Sequence, residues 1–135
     1  MTSETFNKLL DELDGNSLET LKQKNAKYAS PEDCLHNFDS GADIMGGTPA
    51  QCAWGYMTKH ITALRDKVQK NDFHDREDLL EKCQDTINYI RFIWLIGNEK
   101  RAKYTGITAD GTESHKEKQP TAVPQSIPFK NFIND

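Results

Sequence analysis

Residues 48–70 read TPAQCAWGYMTKHITALRDKVQK, and this stretch decides the fold class. Thr48 and Gln51 match a capping box, and Pro49 between them suits the first helical position. Apolar residues then recur at helical spacing, namely Ala50, Trp54, Met57, Ile61, Leu64 and Val68. A long helix with one apolar line buries that line against neighbouring helices. The stretch therefore predicts a helical bundle.

Working outward, four further helices are predicted over residues 3–13, 17–28, 30–45 and 75–96. Asp14-Gly15 is read as the break between the first two. Ser30, Pro31 and Asp33 form a second capping-box pattern, and Gly46 stops that helix. Gly97 is read as the stop of the last one. We predict an all-α bundle of four to five helices.

The composition changes after Gly97, where little remains to bury. Residues 1–97 are predicted to be the helical domain, and residues 98–135 a linker followed by a C-terminal docking strap. Apolar residues return between prolines in residues 123–133, which excludes a helix in the first half of that segment. The fold prediction thus includes an extended, non-helical C-terminal tail.

The last predicted helix is apolar on every side in its second half. Ile87, Ile90 and Trp94 mark one face, while Phe92 and Ile96 lie on the opposite face. A helix of this kind is buried on all sides, either at the centre of a bundle or at a subunit interface. We expect a homo-oligomer, at least a dimer.

Composition excludes several classes of partner. The net charge of −4 over 135 residues gives no reason to expect direct nucleic-acid binding. No apolar run approaches the roughly 20 residues that span a bilayer, so no membrane partner is expected. The N-terminus lacks the features of a signal peptide, and the three cysteines show no CxxC spacing. We read them as reduced core thiols of a cytoplasmic protein.

Two polar ridges flank the apolar faces. They consist of Glu32, His36, Asp39 and Asp43 on the third helix and Asp78, Glu81, Asp85 and Asn88 on the fifth. Facing helices that carry carboxylates can build an oxygen-rich Mg²⁺ site, although such ridges are more often solvated surfaces. Asp85 differs from the rest because apolar residues follow it on both sides of the helix. A half-buried carboxylate needs a partner or a metal.

Basic residues could contact phosphate groups. Lys59 and His60 lie in the fourth helix, and Lys22, Lys24 and Lys27 precede Tyr28. In the functional interpretation Lys59 contacts phosphate and His60 acts as a base or a hydrogen-bond donor. In the structural interpretation, which we favour for His60, it is a boundary residue, and Lys59 pairs with an acid on a neighbouring helix.

Three segments carry a resemblance to a known group of proteins. They are KNAKYASPE (residues 24–32), YMTKH (56–60) and EKCQDTINY (81–89). Residues 20–97 resemble small phage proteins of the nucleotide-modification-associated type. These proteins are distantly similar to the all-α nucleoside triphosphate pyrophosphohydrolases of the MazG-like and dimeric dUTPase superfamily. In that superfamily a Glu-x-x-Glu pair and a Glu-x-x-Asp pair hold Mg²⁺, and here the first pair is absent. The second pair is approximated by Glu81 and Asp85, which are one residue too far apart, or by Asp78 and Glu81, which have the correct spacing with the acids exchanged.

The resemblance implies Mg²⁺-dependent cleavage of a nucleoside triphosphate to a monophosphate and pyrophosphate. Glu81 and Asp85 would be the catalytic carboxylates and would hold the metal together with Asp78. The substrate-binding residues would be Lys59, His60, Lys27, Tyr28 and Asn88. One alternative is a non-catalytic protein that binds nucleotides or nucleotide messengers in phage counter-defence. Another is a structural oligomeric adaptor that docks through its tail.

Overall fold

A computed structural model describes residues 1–112 of the chain. In this part there are four helices and no strand: α1 (Ser3–Tyr28), α2 (His36–Met45), α3 (Pro49–Lys70) and α4 (Arg76–Thr105). The all-α bundle is thereby confirmed. The predicted strap and residues 113–122 of the predicted linker lie outside the described residues.

The first two predicted helices are one helix, so the predicted break at Asp14-Gly15 is wrong. α1 runs for 26 residues through Gly15. Ser17, the first residue of the predicted second helix, instead lies inside α1 and is fully buried, and its hydroxyl donates to the Asp14 carbonyl oxygen at 3.1 Å. A glycine inside a helix costs only about 1 kcal/mol relative to alanine, which packing elsewhere offsets.

The third predicted helix begins later than expected, at His36 rather than near Pro31. Ser30 Oγ does accept the hydrogen bond from the Asp33 backbone N–H, at 3.1 Å. That bond closes an isolated turn and does not start a helix. Asp33 Oδ1 accepts a second hydrogen bond, from the Leu35 N–H, and the helix begins only at the next residue. Cys34 lies in this connection and is exposed, so its assignment to the core is wrong.

The start of α3 is confirmed in detail. The Thr48 hydroxyl accepts from the Gln51 N–H, and the Gln51 side chain accepts from the Thr48 N–H. Gly46 ends α2 in the left-handed conformation at φ 71°, which glycine adopts without steric cost. α2 and α3 therefore form a tight helical hairpin.

The last helix begins where predicted, capped by Asp75, but it does not stop at Gly97. α4 continues to Thr105 and ends at Gly106, which has a φ of 69°. Residues 98–105 are thus helix and not linker. Only a positive φ makes a glycine a strong stop, and Gly97 lies inside the helix without one.

α3 and α4 pack antiparallel. Three contacts show this: Lys67 with Asp78, His60 with Asp85, and Tyr56 with Tyr89. Successive contacts move toward the N-terminus of α3 and toward the C-terminus of α4. α4 also contacts α1, while α2 packs on α3. The apolar core lies where α2, α3 and α4 meet and is centred on Phe38, Ala42, Cys52, Ala53 and Ile96.

The second half of α4 is not buried on all sides within one chain. Ile90 is 55% exposed and Trp94 is 69% exposed, whereas Ile96 is buried. At 100° per residue, Ile87, Ile90 and Trp94 lie on the side of α4 opposite Asp85, and we call them the α4 outer face. No helix in the described residues is long and apolar enough to cross a membrane.

Candidate functional site

A concave site lies between α1, α3 and α4, with α2 at its edge. We call it the cleft; its volume is about 410 Å³. This is within the range of about 300–1,000 Å³ typical of small-molecule sites. The lining side chains are Leu21, Lys24, Asn25, Tyr28, Asn37, Phe38, Tyr56, Lys59, His60, Asp85, Asn88, Tyr89 and Phe92.

Helical spacing explains how each helix contributes to the cleft. The last two turns of α1 present Lys24, Asn25 and Tyr28. Tyr28 follows Lys24 by four residues and Asn25 by three, so all three lie on one side of the helix. On α4, Asp85 and Asn88 are three apart and begin a line that ends in the core at Phe92. The cleft thus has a polar mouth and an apolar floor.

Asp85 lies near the centre of the cleft, and its side chain is 18% exposed. Its Oδ2 is 3.4 Å from His60 Nδ1, and its Oδ1 is 3.6 Å from Lys24 Nζ. This carboxylate therefore joins α1, α3 and α4. Asp85 is thus half-buried, as predicted, and its two partners are the side chains of His60 and Lys24.

His60 is held on two sides. Its side chain is only 12% exposed, and its ring stacks on that of Tyr89 with centroids 5.4 Å apart. Burial lowers the pKa of His60, and the nearby Asp85 only partly opposes this. The imidazole is therefore neutral at pH 7. Burial and Asp85 together raise the pKa of Tyr89.

Asn88 is fixed from behind by a buried network. Arg91 Nη1 donates to Asn88 Oδ1 at 2.9 Å and to Ser17 Oγ at 2.6 Å. Arg91 also lies 3.9 Å from Asp14. The arginine uses the side-chain oxygen of Asn88. Since the amide N–H groups of Asn88 make no hydrogen bond within residues 1–112, they can donate into the cleft.

The charge of the cleft is opposite in sign to that of the whole chain. Lys24 and Lys59 contribute two positive charges against the single negative charge of Asp85, while His60 is neutral. No ion pair to Lys59 forms within residues 1–112. The interpretation in which Lys59 pairs with an acid on a neighbouring helix is therefore not supported there, and Lys59 lines the cleft.

Five of the predicted site residues line the cleft: Asp85, Lys59, His60, Tyr28 and Asn88. Three others do not. Asp78 is paired with Lys67 at 2.5 Å and with Lys82 at 3.1 Å, and these hydrogen bonds lower its pKa. Glu81 and Lys27 are exposed outside the cleft.

This arrangement does not fit the predicted three-carboxylate Mg²⁺ site. Of Asp78, Glu81 and Asp85, only Asp85 reaches the cleft, and it is occupied by His60 and Lys24. Residues 1–112 contain no group of three or more His, Cys, Asp or Glu side chains arranged to hold a metal ion. The ridge predicted on the third helix, Glu32 through Asp43, is solvent-exposed at its four polar positions.

The sequence reasoning missed most of the ring and amide side chains of the cleft. These are Asn25, Asn37, Tyr56, Tyr89 and Phe92. The sequence predicts a buried position for Phe92, and both Phe92 and Tyr89 do pack partly against the core. One sequence feature could have indicated that Tyr89 lines the site. It follows Asn88 directly and lies on the boundary between the polar ridge and the apolar face of the helix.

Comparisons of the chain with protein-family models, with curated proteins and with solved structures gave no match. The cleft geometry and the residue pattern therefore carry the functional argument.

Proposed function

We propose that the protein binds a nucleotide in the cleft. The observation that carries this proposal is the coexistence of two lysines and a set of aromatic rings in one concave site. Lys24 and Lys59 give the cleft a positive charge within an acidic protein, which favours an anionic ligand such as a phosphate group. Ammonium groups are common phosphate ligands in proteins.

The rest of the cleft suits the nucleoside part of such a ligand. Tyr28 is 63% exposed at the mouth, and Tyr56 is 41% exposed, so each presents ring surface on which a base could stack. The amides of Asn25, Asn37 and Asn88 supply both donors and acceptors for the edge of a base. The three cysteines form no disulfide, which fits a reducing cytoplasm and hence access to nucleotides.

The test is calorimetric titration of the full chain with nucleoside mono- and triphosphates, with and without Mg²⁺. We expect binding of at least one nucleotide, weakened about tenfold or more by Lys59→Ala because a charge-assisted contact is lost. Lys22→Ala is the matched control, since Lys22 is an exposed lysine on α1 that does not line the cleft. It should leave the affinity unchanged.

Two outcomes would overturn the proposal: no heat of binding with any nucleotide, or equal losses for Lys59→Ala and Lys22→Ala. The Mg²⁺ arm addresses the predicted pyrophosphohydrolase separately. Release of pyrophosphate only when Mg²⁺ is present would support that activity and would require Glu81 or Asp78 to move toward Asp85. Nucleotide binding without Mg²⁺ and without release of pyrophosphate would support the alternative of a non-catalytic nucleotide-binding protein.

We also propose that the chain forms a homodimer through the α4 outer face. Trp94 and Ile90 expose more than half of their surfaces, and an exposed tryptophan beside an exposed isoleucine is typical of interface anchors. Because this face points away from Asp85, pairing there leaves the cleft open in both copies.

Light scattering should give a dimer at micromolar concentration, and Trp94→Glu should give a folded monomer because it places a charge in an apolar interface. Ile44→Glu is the control, since Ile44 is an 86% exposed apolar residue on α2, outside this face. It should remain dimeric. A monomeric wild-type chain would rule out the dimer.

A further inference from the structure

Among residues 1–112 there are two histidine–aspartate pairs with the same separation and different surroundings. His60 Nδ1 is 3.4 Å from Asp85 in the cleft, and His36 Nδ1 is 3.4 Å from Asp33 on the surface. The His36 side chain is 62% exposed, whereas that of His60 is 12% exposed and stacked on Tyr89. Only the first pair has a fixed ring beside a site that can hold a ligand.

We propose that His60 is a general base that activates water for hydrolysis of a phosphoryl bond in the cleft, without a metal ion. Asp85 is its positioning residue. This inference rests on the proposed nucleotide binding and adds a reaction to it. It gives Asp85 a different role from the metal ligand predicted from the sequence.

The carboxylate of Asp85, 3.4 Å from Nδ1, indicates how the proton is placed on the ring of His60. The carboxylate beside Nδ1 favours the tautomer that carries its proton there, so Nε2 keeps its lone pair. Nε2 makes no hydrogen bond to any side chain or backbone group of residues 1–112. Stacking on Tyr89 restricts rotation of the ring, which preserves this arrangement while a ligand is bound.

The reaction balances with water as the only co-reactant. The water oxygen bonds to the phosphorus atom while one water proton passes to His60 Nε2. The bond from phosphorus to the leaving oxygen breaks, and its electron pair stays on that oxygen. The leaving oxygen takes up a proton from solvent, and Nε2 releases its proton to solvent, so that His60 is neutral again and no net proton is gained by the protein. During attack Asp85 stabilises the imidazolium, as an aspartate does behind a catalytic histidine.

Charge in the cleft favours the same step. Negative charge grows on the phosphoryl oxygens during attack, and Lys24 and Lys59 line the same site. Lys24 is 3.6 Å from Asp85 in the structure and is 61% exposed at its side chain, so it can turn toward a phosphate group. The substrate class is therefore a phosphorylated nucleoside, and the bond is either an ester or an anhydride.

The experiment measures turnover by the full chain in EDTA, with phosphate and pyrophosphate detected separately. The substrates are nucleoside triphosphates, nucleoside monophosphates and p-nitrophenyl phosphate, which distinguish anhydride from ester cleavage. We expect His60→Ala to lower kcat by about 100-fold or more with KM changed less than threefold. Added imidazole should restore part of the activity of His60→Ala, which a merely structural role would not allow.

Asp85→Asn should lower kcat with little change in KM, and the surface control His36→Ala should match the wild type. The inference fails if nucleotide binds but no product forms in EDTA. It also fails if His60→Ala, shown to be folded by circular dichroism, keeps its kcat or is not rescued by imidazole. Absence of nucleotide binding would instead overturn the proposed function on which this inference rests.

Discussion

Replacing Gly41 with alanine will lower the free energy of unfolding by about 2 kcal/mol, while replacing Gly15 with alanine will raise it by about 1 kcal/mol. Both glycines lie inside helices, where alanine is ordinarily preferred. A Cβ on Gly41 would lie 2.5 Å from Cys52 Sγ and 2.9 Å from Tyr56 Oη, whereas a Cβ on Gly15 would meet no atom within 4 Å. Denaturant unfolding of the two variants beside the wild type measures both changes.

A double-mutant cycle identifies the atom responsible. Cys52 is fully buried and cannot turn away, so Cys52→Ala should relieve the closest contact made by Gly41→Ala. The double variant should then lose less stability than the sum of the two single variants. Additive losses would show that α2 and α3 separate slightly at this point instead of clashing.

Arg91→Met will lower the free energy of unfolding by about 2–3 kcal/mol. Methionine keeps much of the length of the side chain but donates no hydrogen bond, so Asn88 Oδ1 and Ser17 Oγ each lose a donor. Asn88 is 7% exposed and Ser17 is fully buried, so water does not readily replace that donor. Urea unfolding followed by circular dichroism gives the value.

Arg65→Met is the matched control for this change. Arg65 pairs with its neighbour Asp66 on the surface of α3, and its side chain is 60% exposed. Its loss should change stability by less than about 0.5 kcal/mol. If both variants lose the same small amount, the contacts of Arg91 with Ser17 and Asn88 contribute nothing to stability.

The helix ends that could be predicted are those whose hydrogen bonds are local. Thr48 with Gln51, Asp75 and Gly46 each satisfy backbone groups within a few residues, and each behaves as predicted. Gly15 and Gly97 were misread because a glycine stops a helix only when its φ turns positive. Whether it does so depends on distant packing, which no local pattern contains. Ser30 made the expected bond, but in a turn rather than a helix.

The site was predictable in part for the same reason. Asp85 and Asn88 lie on the boundary between the polar and apolar sides of α4, and that boundary can be read from spacing. The partner of each side chain depends on how helices are arranged in space. Asp78 lies seven residues before Asp85 on the same side of α4, yet it meets Lys67 rather than the cleft. Spacing along one helix could not separate the two.

The way α1 is attached has a thermodynamic consequence for the cleft. Within the described residues, Ser17 is the one buried residue of α1, and its bonds to α4 are polar: Glu12 with Arg76, Ser17 with Arg91, and Lys24 with Asp85. A helix that buries so little apolar surface opens at a lower free energy than the α2–α3–α4 core.

When α1 opens, Lys24 and Tyr28 move out of the cleft together with this helix. For a ligand that binds in the cleft as proposed, part of the intrinsic affinity would be used to hold α1 closed. Its observed dissociation constant would then exceed the intrinsic one by the reciprocal of the closed fraction. Because the contacts are charged, that fraction falls as salt rises.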